Sequence, residues 1–475
     1  AFIYGIAVAT GEWSTVIAFA FMIWLFIPFL LTAGVFTAPE FLERRFNPQM
    51  RFSFAFVTVL ANVFAFLAPV IYGGGLALEA LVDFNGLFGK PEGSPFGLWF
   101  SIALIGLVAG VWAVWGGLKS VAWMDVLTIA VMVVGGLTVT VLGLKALGNG
   151  GGIFEGFSLM LERNAANSGQ WADAVSKLAP EIVKQENYDR LSVIQPLTHQ
   201  TNPWTHWVFS FFYIGLWYTV INQFLIQRVF AAKDIYHARM GMTFASYLKL
   251  LLPFIVVVPG LIYFAMYPEI VLQYESVGEL RPKADQTYVN MVEQLVPIGV
   301  RGLLLAALFG AIQSTVAAVL TSTSTVITMD FYKRLVNEHA SERTLVSLGR
   351  WITAIVLLFA IVLGVMLSTF EISLFVYIQE LFTFFAPPFS AVFLLGVLWR
   401  RVPGNAAFIT VIVGFLFGIG VKLLVQTGAA PAVLEPYANQ GLFNWLICMA
   451  LCTVLSLVLP PAKPEQVTDE LAFNW

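Results

Sequence analysis

Residues 302–329 read Gly-Leu-Leu-Leu-Ala-Ala-Leu-Phe-Gly-Ala-Ile-Gln-Ser-Thr-Val-Ala-Ala-Val-Leu-Thr-Ser-Thr-Ser-Thr-Val-Ile-Thr-Met and run on into Asp330-Phe-Tyr-Lys333. No ionisable group and no Pro interrupts them, and about 20 such residues suffice to cross a hydrocarbon core of about 30 Å. In lipid every backbone N–H and C=O must find a partner inside the protein, so an unbroken run of this length is a helix. Working outward, ten more stretches of the same kind appear, at roughly 14–36, 52–78, 96–115, 121–147, 204–227, 241–266, 351–367, 372–398, 407–425 and 443–459. The chain therefore reads as an all-α polytopic membrane protein with eleven spans. Between the fourth and fifth lies a polar stretch, 149–203, in which Leu159–Arg163 and Ala172–Val183 read as surface helices. That stretch reads as a connector and not as a domain.

Composition agrees and narrows the function. Of the 475 residues 59% are hydrophobic and only 11% charged, against about 25% charged in a soluble domain, so too little polar surface exists to coat a globule. The 25 Lys and Arg nearly balance 28 Asp and Glu without blocks of like charge, which leaves nucleic acid without support as a partner. Cys448 and Cys452 stand one helical turn apart in an apolar run, where packing is expected and a disulfide is not. None of His199, His206, His237 and His339 falls in a long apolar run or has metal-ligand spacing, which argues against a metalloenzyme. Fourteen Lys and Arg in short loops, from Arg44 to Lys463, fall on one side of the membrane, and the other side holds ten, mostly in long loops. The first side is expected to be cytoplasmic, with the chain start and the 149–203 connector outside and the C-terminal tail inside. Both ends read as cut: the chain opens at Ala1 without an initiator Met and closes on Asn474-Trp475 soon after the last span.

Polar groups inside the membrane are expensive and are functional candidates for that reason. Glu12, in Thr-Gly-Glu-Trp-Ser-Thr, lies at the outer end of the first span with Thr15 nearly one turn on; an interfacial carboxylate is the simpler alternative. Asp125 lies just inside the cytoplasmic end of its span, where a charge complementing the helix dipole is an equal alternative. Lys249 is about eight residues from the nearest loop, near the limit of snorkelling, and the Gln379-Glu380 pair is equally deep and costly without partners. In the opening stretch, Ala311, Ser314 and Thr315 fall at i, i+3 and i+4 and offer a carbonyl and two hydroxyl oxygens without full charge. Neutral hard oxygens suit a monovalent cation that must bind and leave again. A close-packed seam of small residues, or a Ser314 hydroxyl bonded back to its own helix, would produce the same pattern.

At these residues the chain resembles the sodium:solute symporter family, most closely the branch of the sodium/glucose and sodium/galactose cotransporters. The resemblance runs nearly the whole length and is carried by Thr37-Ala-Pro-Glu-Phe-Leu-Glu-Arg-Arg-Phe46, Trp115-Gly-Gly-Leu-Lys-Ser-Val-Ala-Trp-Met-Asp125, Asn222-Gln-Phe-Leu-Ile-Gln-Arg228, Ala311 through Lys333, Tyr377-Ile-Gln-Glu380 and Ala391-Val-Phe-Leu-Leu-Gly396. It implies a LeuT-like core of two inverted five-helix repeats with a solute site near the midplane beside broken helices. On that plan 1–148 is the first repeat without its first helix, 149–203 the connector, 204–400 the second repeat, and 401–475 two peripheral helices and a cytoplasmic tail.

The resemblance also implies roles. Glu12, Lys249 and Gln379 match the family's sugar ligands, and Thr15 stands where a Ser is common. Tyr218 matches an inner gate tyrosine under the sugar ring, and Phe375 an outer hydrophobic gate, with plain packing as the alternative for Phe375. Gly215 replaces a sugar-contacting Asn of the galactose transporter. Ala311, Ser314 and Thr315 match the sodium site. Ala317 and Ala318 stand where some members carry hydroxyls for a second sodium, so one sodium per solute is expected, with Asp125 assigned to cytoplasmic ion release or to a salt bridge with Arg44 or Arg45. The function implied is sodium-coupled import of a small neutral sugar or polyol across the plasma (cell inner) membrane, with sodium, the solute and the bilayer as partners. Inositol, a sialic acid, an amino acid such as proline or a vitamin carboxylate remain open as solutes, as do a symporter-like sensor module and a passive uniporter or channel.

Overall fold

The computed structural model describes every residue except 36, 92, 116, 185–187, 371, 372, 474 and 475. The span limits expected at Phe36 and Ile372, Gly116 of the Trp115–Asp125 stretch and the final Asn474-Trp475 lie outside the described residues. Among those described, ten helices are long and apolar enough to cross a membrane: α1 (Gly5–Thr32), α2 (Pro48–Val82), α3 (Phe96–Val114), α4 (Ala122–Leu147), and then, after a bent pair, α7 (Ile235–Met266), α8 (Ile298–Val336), α9 (Glu342–Leu367), α10 (Leu374–Leu398), α11 (Gly404–Gln426) and α12 (Tyr437–Val458). The bent pair is α5 (Trp204–Ile221) and α6 (Gln223–Phe230), which turns by 50° and brings the count to eleven if it crosses as one span.

Local sequence accounts for the irregularities. α1 and α2 widen to a π-helical turn at Met22–Phe26 and Asn62–Leu67, in each case just before a proline, Pro28 and Pro69. A proline offers no N–H and its ring presses on the preceding turn, so the helix relaxes there. The break between α5 and α6 has no proline. Asn222 leaves the helix with an extended ψ of 117°, and its side-chain oxygen accepts from Phe224 N at 3.2 Å, capping α6 while its own N–H donates to Trp217 O. Gln223 anchors the break by accepting from Ala38 N at 2.9 Å.

The helices sort by burial more than by apolarity. α10 buries 78% of its spanning window and α11 only 22%, which places α10 at the centre and α11 toward lipid. The main core joins residues of α1, α2, α5, α6, α10 and α12. Cys448 and Cys452 are free, fully buried members of it, as the packing reading expects, and Gly414 permits that approach because a Cβ there would lie 2.6 Å from Cys448 Sγ.

A second core gathers the chain start, α7 and the connector. The connector helices span Gly152–Asn164 and Gly169–Ile182 and are more than a surface cover. Arg190 is fully buried, donates to Ile3 O at 2.8 Å, Phe2 O at 2.9 Å and Asn164 Oδ1 at 3.1 Å, and stacks 3.7 Å over the Phe264 ring. His199 is also fully buried; its Nδ1 accepts from Asn202 N at 3.0 Å, and burial pushes its pKa down to about 3. A histidine with a folded pKa below its unfolded value contributes stability that is present above about 6.5 and is lost as pH falls toward 3. At pH 5 the cost is about 2 kcal/mol, so the melting temperature of the wild type is expected to fall between pH 7 and 5. His199→Asn, which keeps an acceptor for the Thr201 and Asn202 amides, is expected to flatten that slope.

On the opposite face Arg45 is buried and does not pair with a carboxylate. It donates to Gly396 O at 2.6 Å, Val402 O at 3.1 Å and Trp399 O at 3.1 Å, meeting the carbonyls at the end of α10 where the helix dipole favours a cation. Arg45→Met is expected to cost about 3 kcal/mol and to lower the melting temperature in detergent by several degrees, while Arg44→Ala changes it little.

Candidate functional site

Five helices converge on one cavity of about 250 Å³. α1 contributes Glu12 and Thr15, α5 contributes His206, Ser210 and Tyr218, α7 contributes Lys249, and α10 contributes Phe375 and Gln379, with Phe66 of α2 below. All five residues expected to bind solute, and both expected gates, therefore line a single space. Glu12 and Lys249 form an ion pair, Nζ to Oε2 at 2.5 Å, with 34% of the Glu12 side chain and 20% of the Lys249 side chain still open to the cavity. Lys249 also lies 5.9 Å from the centre of the Tyr218 ring, so its charge is held between a carboxylate and an aromatic face. Thr15 donates its hydroxyl proton to Gly11 O at 2.6 Å and offers the cavity its lone pairs. Ser14 and Ser210 share a hydrogen bond of 2.7 Å that joins α1 to α5 on the same wall.

The cavity has different ends. Its floor is aromatic: Phe66 packs 5.0 Å from Phe382 and 4.8 Å from Phe224, and Tyr218 sits 6.1 Å from Phe382. Toward the connector face it shares Val8, Glu12 and Phe375 with a second cavity of about 230 Å³, lined by Tyr4, Asp285 and Ser373. There Asp285 accepts from Leu374 N at 3.0 Å and from Ser373 Oγ at 3.2 Å, fastening the helix Val277–Asp285 to the start of α10. Burial raises the Asp285 carboxyl above the usual carboxylate range, partly offset by those two hydrogen bonds. Phe375 stands at the junction, 40% exposed.

The hydroxyl face of α8 lies outside this cavity. Thr315 Oγ1 donates to Ala311 O at 2.9 Å, and Ser314 Oγ donates to Asp125. It is thus Thr315, and not Ser314, that bonds back to its own helix. These oxygens are themselves neutral, of the kind that suits a monovalent cation, and Asp125 brings a carboxylate beside them, while Ala317 and Ala318 one turn on are fully buried and carry no hydroxyl.

Two expectations need correction, and Glu380 finds the partner its depth requires. Asp125 pairs with neither Arg44 nor Arg45: Arg44 turns back to Glu40 at 2.5 Å, Arg45 is taken up by three carbonyls, and Asp125 meets Arg228 of α6 at 3.2 Å. Glu380 does not face the cavity beside Gln379; successive helical positions point about 100° apart, and Glu380 pairs with Lys422 of α11 at 2.9 Å. His206 is no loop residue; it lies in the first turn of α5, is 1% exposed and borders the cavity. An ionic cluster on the loop-rich face had no signal beyond the residues themselves: Arg51 bridges Glu43 at 2.7 Å and Asp330 at 2.5 Å, and Arg334 also binds Glu43. It ties the helix Ala38–Arg45 and α2 to the end of α8. Among the described residues no group of three His, Cys, Asp or Glu side chains is placed to hold a metal ion.

Known proteins share this architecture. A profile of the sodium:solute symporter family matches residues 1–414. The chain is similar to the sodium/glucose cotransporter of Vibrio parahaemolyticus, 32% identical over 95% of this chain and 77% of that one. It is also similar to the human sodium/myo-inositol cotransporter, 28% identical over 98% of this chain and 65% of that one, a little under two thirds of its length. A solved structure of a sodium-coupled sialic acid symporter in a substrate-bound outward-open state superposes with a TM-score of 0.73 over 96% of this chain and 84% of that one, at 18% identity, and so shares its fold. Profile match, sequence likeness and shared fold agree: the chain belongs to the sodium:solute symporter family, multi-pass membrane transporters with sodium as the coupling ion.

Proposed function

We propose that this protein imports a small neutral sugar or polyol, glucose-, galactose- or inositol-like, with one sodium ion per solute by alternating access. The observation that carries this reading is the convergence of Glu12, Lys249, Thr15 and Gln379 above an aromatic floor in one cavity. A carboxylate accepts, an ammonium donates, an amide does both, and an aromatic face suits the C–H side of a ring, a combination that answers a ring of hydroxyls. The lysine's charge is already matched by Glu12, so an acidic solute would find no free cation and would meet the carboxylate. Glu380 drops out of that argument because Lys422 neutralises it outside the cavity.

In this reading sodium is cargo, held by Ala311 O, Ser314 Oγ and Thr315 Oγ1. Asp125, hydrogen-bonded to Ser314 and paired with Arg228, stands on the release route. The Glu43, Arg51, Asp330 and Arg334 cluster and the Tyr218 floor close the cytoplasmic side, and Phe375 with the Asp285 clasp closes the outer one. The Lys- and Arg-rich loops lie in the cytoplasm, the connector outside the plasma membrane, and 1–148 and 204–400 act as the two repeats. One charge moving through about 100 mV yields about 2.3 kcal/mol, and a tenfold sodium gradient adds about 1.4 kcal/mol. Together they support roughly 500-fold accumulation at one-to-one coupling.

The test is uptake of radiolabelled glucose, galactose and myo-inositol into proteoliposomes of the full-length protein under an inward sodium gradient. Accumulation of one of them that vanishes when potassium replaces sodium is the expected result. Equal uptake in potassium, or sodium-dependent uptake confined to an amino acid or sialic acid, would overturn it.

A further inference from the structure

His206 is a buried polar side chain for which the foregoing account has no use. Its Nδ1 lies 2.7 Å from the hydroxyl of Tyr213, also fully buried, and its Nε2 has no hydrogen-bond partner among the described residues although the ring borders the solute cavity. The tautomer follows by counting. If Nδ1 carried the proton it would donate to Tyr213, and both the phenol proton and the Nε2 lone pair would be left without partners. If Tyr213 donates to Nδ1, the single group left over is Nε2–H. A buried donor without an acceptor costs about 1–3 kcal/mol, so the second arrangement is preferred and the leftover donor awaits an acceptor.

Nε2 is itself buried at the edge of the cavity, and the nearest backbone across from it carries no side chain. Gly11 of α1 faces it, and a Cβ built on Gly11 would lie 3.8 Å from Nε2. Further down α5, Gly215 offers the cavity no side chain at all, and its packing forbids one because a Cβ there would lie 2.9 Å from Ala18 Cβ. The wall of α5 therefore lacks a polar contact at 215 and carries one two to three turns nearer the connector face, at His206.

We propose that His206, oriented by Tyr213, is a solute-binding residue of this transporter that donates Nε2–H to a hydroxyl oxygen at the connector-side end of the polyol. His206 lies beside Gly11, next to the solute ligand Glu12, and nearer the connector than Tyr218 on the same helix. This inference rests on the neutral-polyol reading of the cavity, and Tyr213 is a positioning residue within it.

The experiment takes whichever of glucose, galactose and myo-inositol the wild-type proteoliposomes accumulate with sodium, together with its set of monodeoxy analogues. If the wild type accumulates none of the three, the polyol reading and with it this inference is overturned. Given wild-type transport, His206→Leu is expected to raise the solute KM at least tenfold while leaving the sodium concentration for half-maximal uptake within about twofold. One deoxy analogue that binds weakly to the wild type is expected to compete as well as the parent solute in His206→Leu, because the lost hydroxyl and the lost donor are the same contact. His206→Gln, which keeps a donor, should restore part of the KM. Unchanged KM, or a variant in which every deoxy analogue keeps its wild-type penalty, would overturn the proposal while leaving symport itself standing. Should His206→Leu fail to fold, the 15N-histidine spectrum of the wild type in nanodiscs decides: an Nε2-protonated His206 whose signal moves on adding solute with sodium is expected, and a signal that does not move contradicts it.

Discussion

Lys249→Ala is expected to reduce solute kcat/KM by about two orders of magnitude or more. The ammonium is held 2.5 Å from Glu12 and 5.9 Å from the Tyr218 ring centre, deep in the membrane and largely withdrawn from water. Truncating one member of such a pair leaves the other charge unmatched, a change worth about 2–5 kcal/mol, and it also removes the cavity's strongest donor. The damage is expected to fall on solute binding and not on the proposed sodium face of α8, whose Ala311, Ser314 and Thr315 are not among the residues lining the cavity. Controls separate electrostatics from chemistry. Glu12→Gln with Lys249→Met removes both charges, so folding is expected to recover toward wild type as judged by melting temperature, while uptake stays lost. Uptake within threefold of wild type in Lys249→Ala would remove the pair from the solute site.

The second large effect is expected at Ser314. Ser314→Ala should raise the sodium concentration giving half-maximal uptake at least tenfold, about 1.4 kcal/mol, with the solute KM at saturating sodium changed much less. A neutral hydroxyl is one of few oxygens available to the ion on this face, and Thr315 already has its proton committed to Ala311 O. Because Ser314 also donates to Asp125, Asp125→Asn distinguishes the two roles. If the hydroxyl serves the ion, Asp125→Asn alters the rate of sodium release more than the equilibrium sodium requirement. A Ser314→Ala variant with wild-type sodium dependence would remove the assigned ion face.

Much of this architecture was legible because membrane spans announce themselves by length. The eleven apolar stretches correspond to ten helices and the bent α5 and α6 pair. The bend itself was not, since Asn222 breaks the helix through its own cap and not through a proline. The cavity was partly legible: Lys249 and Gln379 are polar groups deep in their spans, and Glu12, for which an interfacial position was the simpler alternative, lines the same cavity. What failed were pairings between segments distant in sequence. Asp125 finds Arg228 across 103 residues, and Arg190 is buried under the chain start, although its neighbourhood reads as an ordinary polar loop. Glu380 was marked as costly without a partner, and that partner, Lys422, lies 42 residues away. His206 was hidden at the edge of a span, where a polar residue ordinarily meets water.

Coupling of sodium to solute can be tested most directly by running it from the other side. Proteoliposomes with equal sodium inside and out, clamped at zero membrane potential, are given an inward gradient of the transported sugar or inositol, and radiolabelled sodium is followed. Sodium is expected to enter against its own equilibrium in a one-to-one ratio with solute, and this entry is expected to be lost in Ser314→Ala and in Lys249→Ala. Solute entry without sodium movement would contradict coupling.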